Sequence, residues 1–470
     1  MTGYPDNTHA ARGVIKRAMP PEPPKPKSRV LVLMLALAVI VVVVGLLVWQ
    51  WASPSKPASS PSSALPTTGT PAAVVKPVIS WVQSLGGEDL DIFRAVAVAD
   101  DDSIVAVGYT LSTTGDFGST SGAGNAVVAM FDAQGNRQWC RTISDQETSD
   151  FNSVAIGADG SIYAVGSAVL QGADPKVAEN RFALVAKLTM AGEVVWQKTF
   201  GGNGYDELAN VVDNGNGLIA VGDTSSTNGD APATHGDLDA LVVSLTYSGD
   251  ISWAKTYGGS QEDYFYSATI GANGQIAVVG ASGSHDGDFA DPRGSLNAVI
   301  AGISPQGDLE WSKVFGGSEL DLFNTIRTAP DGSYLVAGVT WSLDGDLPNS
   351  NSKPSSASVY GQCIQDGASC QWTGGPAGSF YGGDVTTNGL YVVVGSDIDA
   401  GGCIMGVINL ATGETQGGLV TPDGFTSGSY SAIAALPDNR VVAVGYASKS
   451  PGTDIDQSEY DAIVVVIGFE

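Results

Sequence analysis

The eleven residues "WQKTFGGNGYD" (196–206) recur with drift as "WVQSLGGEDLD" from Trp81, "WAKTYGGSQED" from Trp253 and "WSKVFGGSELD" from Trp311. Further units open at Trp139 and Trp372, so successive tryptophans are 57 to 61 residues apart, and a seventh unit has Gly417 where Trp is expected. A repeat of this kind cannot bury its apolar face alone; neighbouring units must stack to make a continuous core. Each unit carries, in order, the Trp segment, a Gly-Gly turn, a stretch opening with Asp, a small apolar run ending in Gly, a long polar loop and a second apolar run. The small apolar runs are "IVAVG" (104–108), "IYAVG" (162–166), "LIAVG" (218–222), "IAVVG" (276–280), "YLVAG" (334–338), "YVVVG" (391–395) and "VVAVG" (441–445). β-Branched residues bounded by Gly and Asn/Asp turns are strand chemistry, and no stretch of the repeat region has a sustained helical period. Four strands per unit, seven times over, predict an all-β seven-bladed β-propeller of antiparallel blades over residues 78–470, with strands A (inner) to D (outer, Trp-led).

The ends of the array sharpen this expectation. The region opens on a D-type strand, "VISWVQSL" (78–85), and closes on a C-type strand, "DAIVVVIGF" (461–469). Pairing Val78–Leu85 with the strand around Val464–Val466 would complete the last blade and close the ring. The repeated residues then take structural roles. Trp81, Trp139, Trp196, Trp253, Trp311 and Trp372 are expected to wedge the seams between blades, each indole N–H within reach of a backbone carbonyl. Gly-Gly carries the chain from the outer edge of one blade to the inner edge of the next. Asp91, Asp150, Asp206, Asp263 and Asp321 are expected to accept backbone N–H bonds where strand A begins.

Residues 1–29 carry six Lys or Arg against Asp6 and Glu22, a net of +4, so the formal charge of −27 leaves −31 on the remainder. A domain that acidic repels phosphate backbones, which argues against nucleic-acid binding. Val30–Trp49 has no charged residue and is long enough for a membrane helix. The expected organisation is a basic, Pro-rich cytoplasmic tail (1–29), a transmembrane signal anchor (30–51), a Ser/Pro-rich extracellular stalk (52–77) and the propeller. The basic residues precede the apolar run, so the positive-inside rule makes this a single-pass cell-membrane protein with a cytoplasmic N-terminus and an extracellular C-terminal domain. In an exported domain, Cys363 and Cys370 flank "IQDGAS", whose Asp-Gly hairpin signal would set the two thiols across neighbouring strands as a disulfide.

The segments "GNRQW" (135–139), "GEVVW" (192–196), "GDISW" (249–253) and "GDLEW" (307–311) resemble the tryptophan-docking motif of quinoprotein-like propellers. The whole unit is more similar to the repeats of exported bacterial seven-bladed β-propeller proteins, a group of mostly unestablished function. The resemblance covers 78–470 and is worn in the last two units, where Gly378 and Gly428 hold the Asp position. It implies a surface-exposed propeller and little chemistry.

Function is therefore sought on the face where the D-to-A turns and the long B-to-C loops emerge together. Those loops repeat Ser-x-x-Gly-Asp at 112–116, 226–230, 284–288 and 342–346. They bring Asp116, Asp230, Asp288 and Asp346 towards Asp91, Asp206, Asp263 and Asp321 as an acidic ligand face, with calcium conceivable at Asp286, Asp288, Asp344 and Asp346. No other cofactor is implied. Only three His are present, and no nucleophile elbow, phosphate loop or zincin helix, so no catalytic residue can be nominated and an enzyme is the weaker expectation. The leading reading is a membrane-anchored module that binds protein or glycan. The alternatives are a polysaccharide-active or redox enzyme using an acidic central mouth, and an envelope-assembly scaffold.

Overall fold

Seven four-stranded antiparallel sheets follow one another along the chain, and each takes its four strands in sequence order except the last. This is a computed structural model of the chain. It describes residues 76–470 apart from 119–123, 144–145, 172–180, 231, 272, 292, 349–355, 365–368, 398–400 and 451–458. The inner strands begin at Asp91, Thr148, Asp206, Asp263, Asp321, Ser379 and Ser427. A short 3₁₀ turn, Gly287–Phe289, lies in one of the loops. The expected span at 30–51 and the stalk lie outside the described residues. Among the described residues no helix is long and apolar enough to cross a membrane.

The seventh blade is composite. Pro77–Leu85 pairs antiparallel with Asp461–Phe469, with Trp81 opposite Val466, Val82 opposite Val465 and Gln83 opposite Val464, as the ends of the array predict. Backbone bonds between Lys76 and Glu470, 2.7 and 3.0 Å long, extend the ladder at its outer end.

The seams hold the core. A Cβ built on Gly135 would lie 2.8 Å from the Trp81 ring. Gly192 and Trp139, Gly249 and Trp196, and Gly307 and Trp253 approach equally closely. Each of these glycines sits in the C-to-D turn of the blade after its tryptophan, at a positive φ of 77–88°. The Gly-x-x-x-Trp motif thus supplies both halves of a joint: the indole that leaves one blade lies flat on the glycine of the next, where no other residue fits. The indole N–H groups of Trp139 and Trp253 reach the carbonyls of Met190 (3.0 Å) and Pro305 (3.2 Å). Those of Trp81 and Trp311 are buried without a partner among the described residues. Two lysines of the motif clasp the same joints from outside, Lys198 to Asp250 at 2.9 Å and Lys255 to Asp308 at 2.7 Å.

Trp372 also wedges a seam, but on the opposite side of its blade from the other tryptophans. In the first four blades and in the closing strand, a bulge lies beside the tryptophan: Met130 pairs with Trp139 but Phe131 with Arg137, leaving Gln138 unpaired. In blade 5 that bulge is missing, since Cys363, Gln362 and Gly361 pair in turn with Cys370, Gln371 and Trp372. A slip of one residue sends a strand's side chains to the opposite face. Trp372 therefore turns back into the seam between blades 4 and 5. There it stacks on Phe323 at 4.8 Å and meets Phe315 edge-on at 5.0 Å. Cys363 and Cys370, paired across this strand junction, are joined by a disulfide.

Candidate functional site at the channel mouth

The inner strands carry a second set of bulges. In every blade the register slips after a large residue near the start of strand A, between Phe93 and Ala95, Phe151 and Ser153, Leu208 and Asn210, and Phe265 and Ser267. The same slip falls between Phe323 and Thr325, Phe380 and Gly382, and Tyr430 and Ala432. One residue per blade is thus left out of the ladder and re-aimed. The seven are Arg94, Asn152, Ala209, Tyr266, Asn324, Tyr381 and Ser431, and all seven line a cavity of about 410 Å³ at the mouth of the central channel. Glu207, Ser429 and Tyr446 complete the rim. A cavity of about 380 Å³ continues below it between the inner strands.

Hydrogen bonds fix several members of this ring. Arg94 bonds the side-chain oxygen of Asn152, lies 3.5 Å from Asp150 and stands 4.7 Å over the Tyr109 ring. The Asn152 amide in turn donates to Glu207 (2.6 Å) and to the Leu208 carbonyl (3.0 Å), and Glu207 accepts from the Tyr205 hydroxyl. Asn324 donates to the Phe380 carbonyl at 2.7 Å. Tyr264 and Tyr266 stack at 5.8 Å and 19°. Glu207 faces Asp223 across the strand pair. Burial raises the Glu207 carboxyl above its usual range, and the nearby Asp150 adds to the shift. Asp223, only 8% exposed, is pushed well above its usual range by burial, and then by Glu207 and Asp206. The mouth therefore offers phenol rings, side-chain amides, a guanidinium and, in Glu207, a carboxyl raised above its usual range, with Asp223 buried behind it.

The eight aspartates expected to form a ligand face divide into a buried set and an outer set of loop residues. Asp91, Asp206, Asp263 and Asp321 are 0–1% exposed, so they are not presented to a ligand. Each accepts the N–H of the second turn glycine at 2.9 or 3.0 Å. Each also accepts the hydroxyl that opens the B-to-C loop (Ser112, Ser226, Ser284 or Ser342) at 2.7–2.9 Å, and one further Thr or Ser hydroxyl. In blade 2 the sequence has shifted by one. Ser149 takes the equivalent place, and Asp150 turns towards Ser167, Arg94 and Arg181. Asp116, Asp230, Asp288 and Asp346 each donate their backbone N–H to the first turn glycine's carbonyl, at 3.0–3.4 Å. Asp286 and Asp344 accept the N–H groups of Ser260 and Ser318 instead. The four residues considered for calcium are thus spread over two blades as loop latches, and among the described residues no three His, Cys, Asp or Glu groups converge on a metal position.

These buried carboxyls give the domain a characteristic acid response. Burial raises Asp91 to about 6 and also raises Asp206 and Asp263, against the pull of their hydroxyl and amide donors. A carboxyl raised in the folded state favours folding fully below its unfolded pKa near 4, and loses that contribution as pH climbs through the folded value. Hydroxyl and amide bonds lower the exposed Asp132, Asp331 and Asp344, which act in the opposite sense below pH 4. The melting temperature is expected to peak near pH 5 and to fall towards pH 8. A thermal scan from pH 3 to 9 that rises steadily to pH 8 would contradict this.

No family model matches the chain. Over 242 residues it is 26% identical to the regulatory protein FlaEY of Caulobacter vibrioides, a match that takes in 46% of this chain and 25% of that protein. The chain thus spans about a quarter of the length of this relative. Among solved structures it is similar to the polysaccharide lyase Uly1, with a TM-score of 0.47, 11% identity, 81% of this chain and 90% of that one. It is also similar to puromycin hydrolase, with a TM-score of 0.44, 12% identity, 81% of this chain and 51% of that one. Nothing about substrate follows from either structural likeness.

Proposed function

We propose that this chain is a membrane-anchored, extracytoplasmic β-propeller that binds glycan at its channel mouth. The observation that carries the reading is the ring of seven bulge residues. A bulge frees one side chain per blade from the sheet, and here four of the seven are aromatic or amide-bearing, the chemistry that stacks on sugar rings and bonds their hydroxyls. The mouth, at about 410 Å³, has the size of a small-ligand pocket and is too small to admit a folded protein. On the same face Trp341, 43% exposed, offers a further ring near the start of a B-to-C loop. The charge-free run at 30–49 and the basic residues before it support attachment to the cell membrane with the propeller outside.

Binding of neutral and acidic oligosaccharides to the full chain, followed by calorimetry, tests this directly. Tyr266→Ala and Asn152→Ala are each expected to weaken the best ligand about tenfold or more, the loss expected for one well-placed contact of 1–3 kcal/mol. Affinity unchanged in both variants would move the site elsewhere.

One observation favours a second reading, a polysaccharide-active enzyme. Glu207 lines the mouth, and burial raises its carboxyl above the usual carboxylate range, the direction a general acid needs. Release of reducing or unsaturated ends by the wild type, abolished in Glu207→Gln with binding intact, would select it.

A further inference from the structure

We propose that the seam between blades 5 and 6 is a receptor site for one planar aromatic ring of indole size. The repeat itself shows what such a seam is built to hold. In the joints around Trp81, Trp139, Trp196 and Trp253, an indole from one blade lies on a glycine of the next. The seam between blades 4 and 5 holds two indoles, Trp311 from blade 4 and the reversed Trp372 from blade 5. The seam between blades 5 and 6 holds none. Trp372 has turned away from it, and the position in blade 6 that matches Trp372 in register is Gly417, opposite Gly406 as Trp372 is opposite Gly361.

The space has not collapsed. A cavity of about 290 Å³ remains, lined by Tyr360, Gly374, Phe380, Gly406, Ile408 and Gly417. Two aromatic rings and an isoleucine give it apolar walls, Thr415 and Gln416 give it a polar edge, and the glycines keep it slot-shaped. It opens at the rim, where Gly374 and all of Thr415–Leu419 are exposed. Gly413, at the C-to-D turn of blade 6, keeps the left-handed backbone (φ 72°) of the glycines that carry an indole elsewhere. A slot walled by two rings and an isoleucine and edged by glycines has the form of a seat for a flat ring, and with no indole in this seam the ring that completes it must come from outside the blade. It can arrive as a free aromatic molecule or as a tryptophan side chain on another polypeptide.

The test uses the full chain and two probes: N-acetyl-tryptophanamide for the free ring, and the nonapeptide Gly192–Phe200, "GEVVWQKTF", which is the repeat's own wedge strand. Gly417→Trp is expected to fill the slot from within, raising the melting temperature and weakening probe binding at least tenfold. Gly417→Ala, which adds no ring, should bind as the wild type does. Peptide binding at least tenfold tighter than the free ring assigns the site to a polypeptide partner, whereas equal affinities assign it to small aromatic molecules. The proposal is overturned if neither probe saturates the wild type, or if both bind Gly417→Trp as well as they bind the wild type. A stabilised Gly417→Trp with no probe binding to the wild type would mark the cavity as an unfilled void, and overturns it equally.

Discussion

Deletion of Pro77–Leu85 is expected to abolish the monomeric folded domain. This strand is the outer edge of blade 7, and the strand it covers contains Ala462–Ile467, every residue of which is fully buried. Without it, a long, flat apolar edge of β-branched residues would lie open, the feature most prone to pair with another chain. The deletion also withdraws Trp81 from Gly135, so the seam with blade 1 loses its wedge together with the ladder. The combined loss should exceed the roughly 5–15 kcal/mol that holds a typical domain folded. Size-exclusion chromatography and far-ultraviolet circular dichroism should show aggregate or unfolded chain, and a synthetic strand spanning residues 76–86 should restore part of the monomer when added in trans. A deletion variant that elutes as a monomer and melts within a few degrees of the full chain would refute ring closure as the source of stability.

The second large effect is expected at Asp263. Its carboxylate accepts from the Gly259 N–H at 2.9 Å, from Ser284 at 2.7 Å and from Ser282, with no exposed surface. Asp263→Ala leaves three buried donors without a partner. At about 1–3 kcal/mol for each group, partly relieved by water or relaxation, the expected loss is about 3–5 kcal/mol. Asp263→Asn should fall between, because one amide oxygen can still accept while its NH₂ opposes the remaining donors. Blades 6 and 7 show that the carboxylate is required by its donors and not by the blade as such. They have Gly378 and Gly428 at this position, whose N–H groups keep, to the carbonyls of Ser356 and Gly401, the backbone bond that the Asp263 N–H makes to Leu238. Urea unfolding gives the measurement, and a loss below about 1 kcal/mol would mean that the network contributes little.

The architecture was legible because the features that build it repeat in sequence. Turn glycines, strand-forming runs and the incomplete units at the two ends fix blade count and closure before any contact is known. Which seam Trp372 enters was not legible, because its facing depends on one unpaired residue that the motif does not display. A trace is visible in the spacing, however: glycine precedes tryptophan by four residues in "GNRQW", "GEVVW", "GDISW" and "GDLEW", but Gly367 precedes Trp372 by five. The mouth was not legible. The repeated aspartates stand out in the sequence, but their repetition is that of the scaffold. The bulge residues that line the cavity lie directly after the large residue near the start of strand A, and they read Arg, Asn, Ala, Tyr, Asn, Tyr and Ser. Such variation at one position within otherwise similar units is the signal that could have found them.

The inner-strand bulges also separate what the molecule must keep from what it can alter. Because the residue at each bulge takes no part in the ladder, exchanging it leaves the sheet's hydrogen bonds and the wedged seams in place. The hub behaves like a socket with seven exchangeable pins in a fixed housing, whose preference for one guest over another can be rewritten by single substitutions while the wheel around it continues to fold.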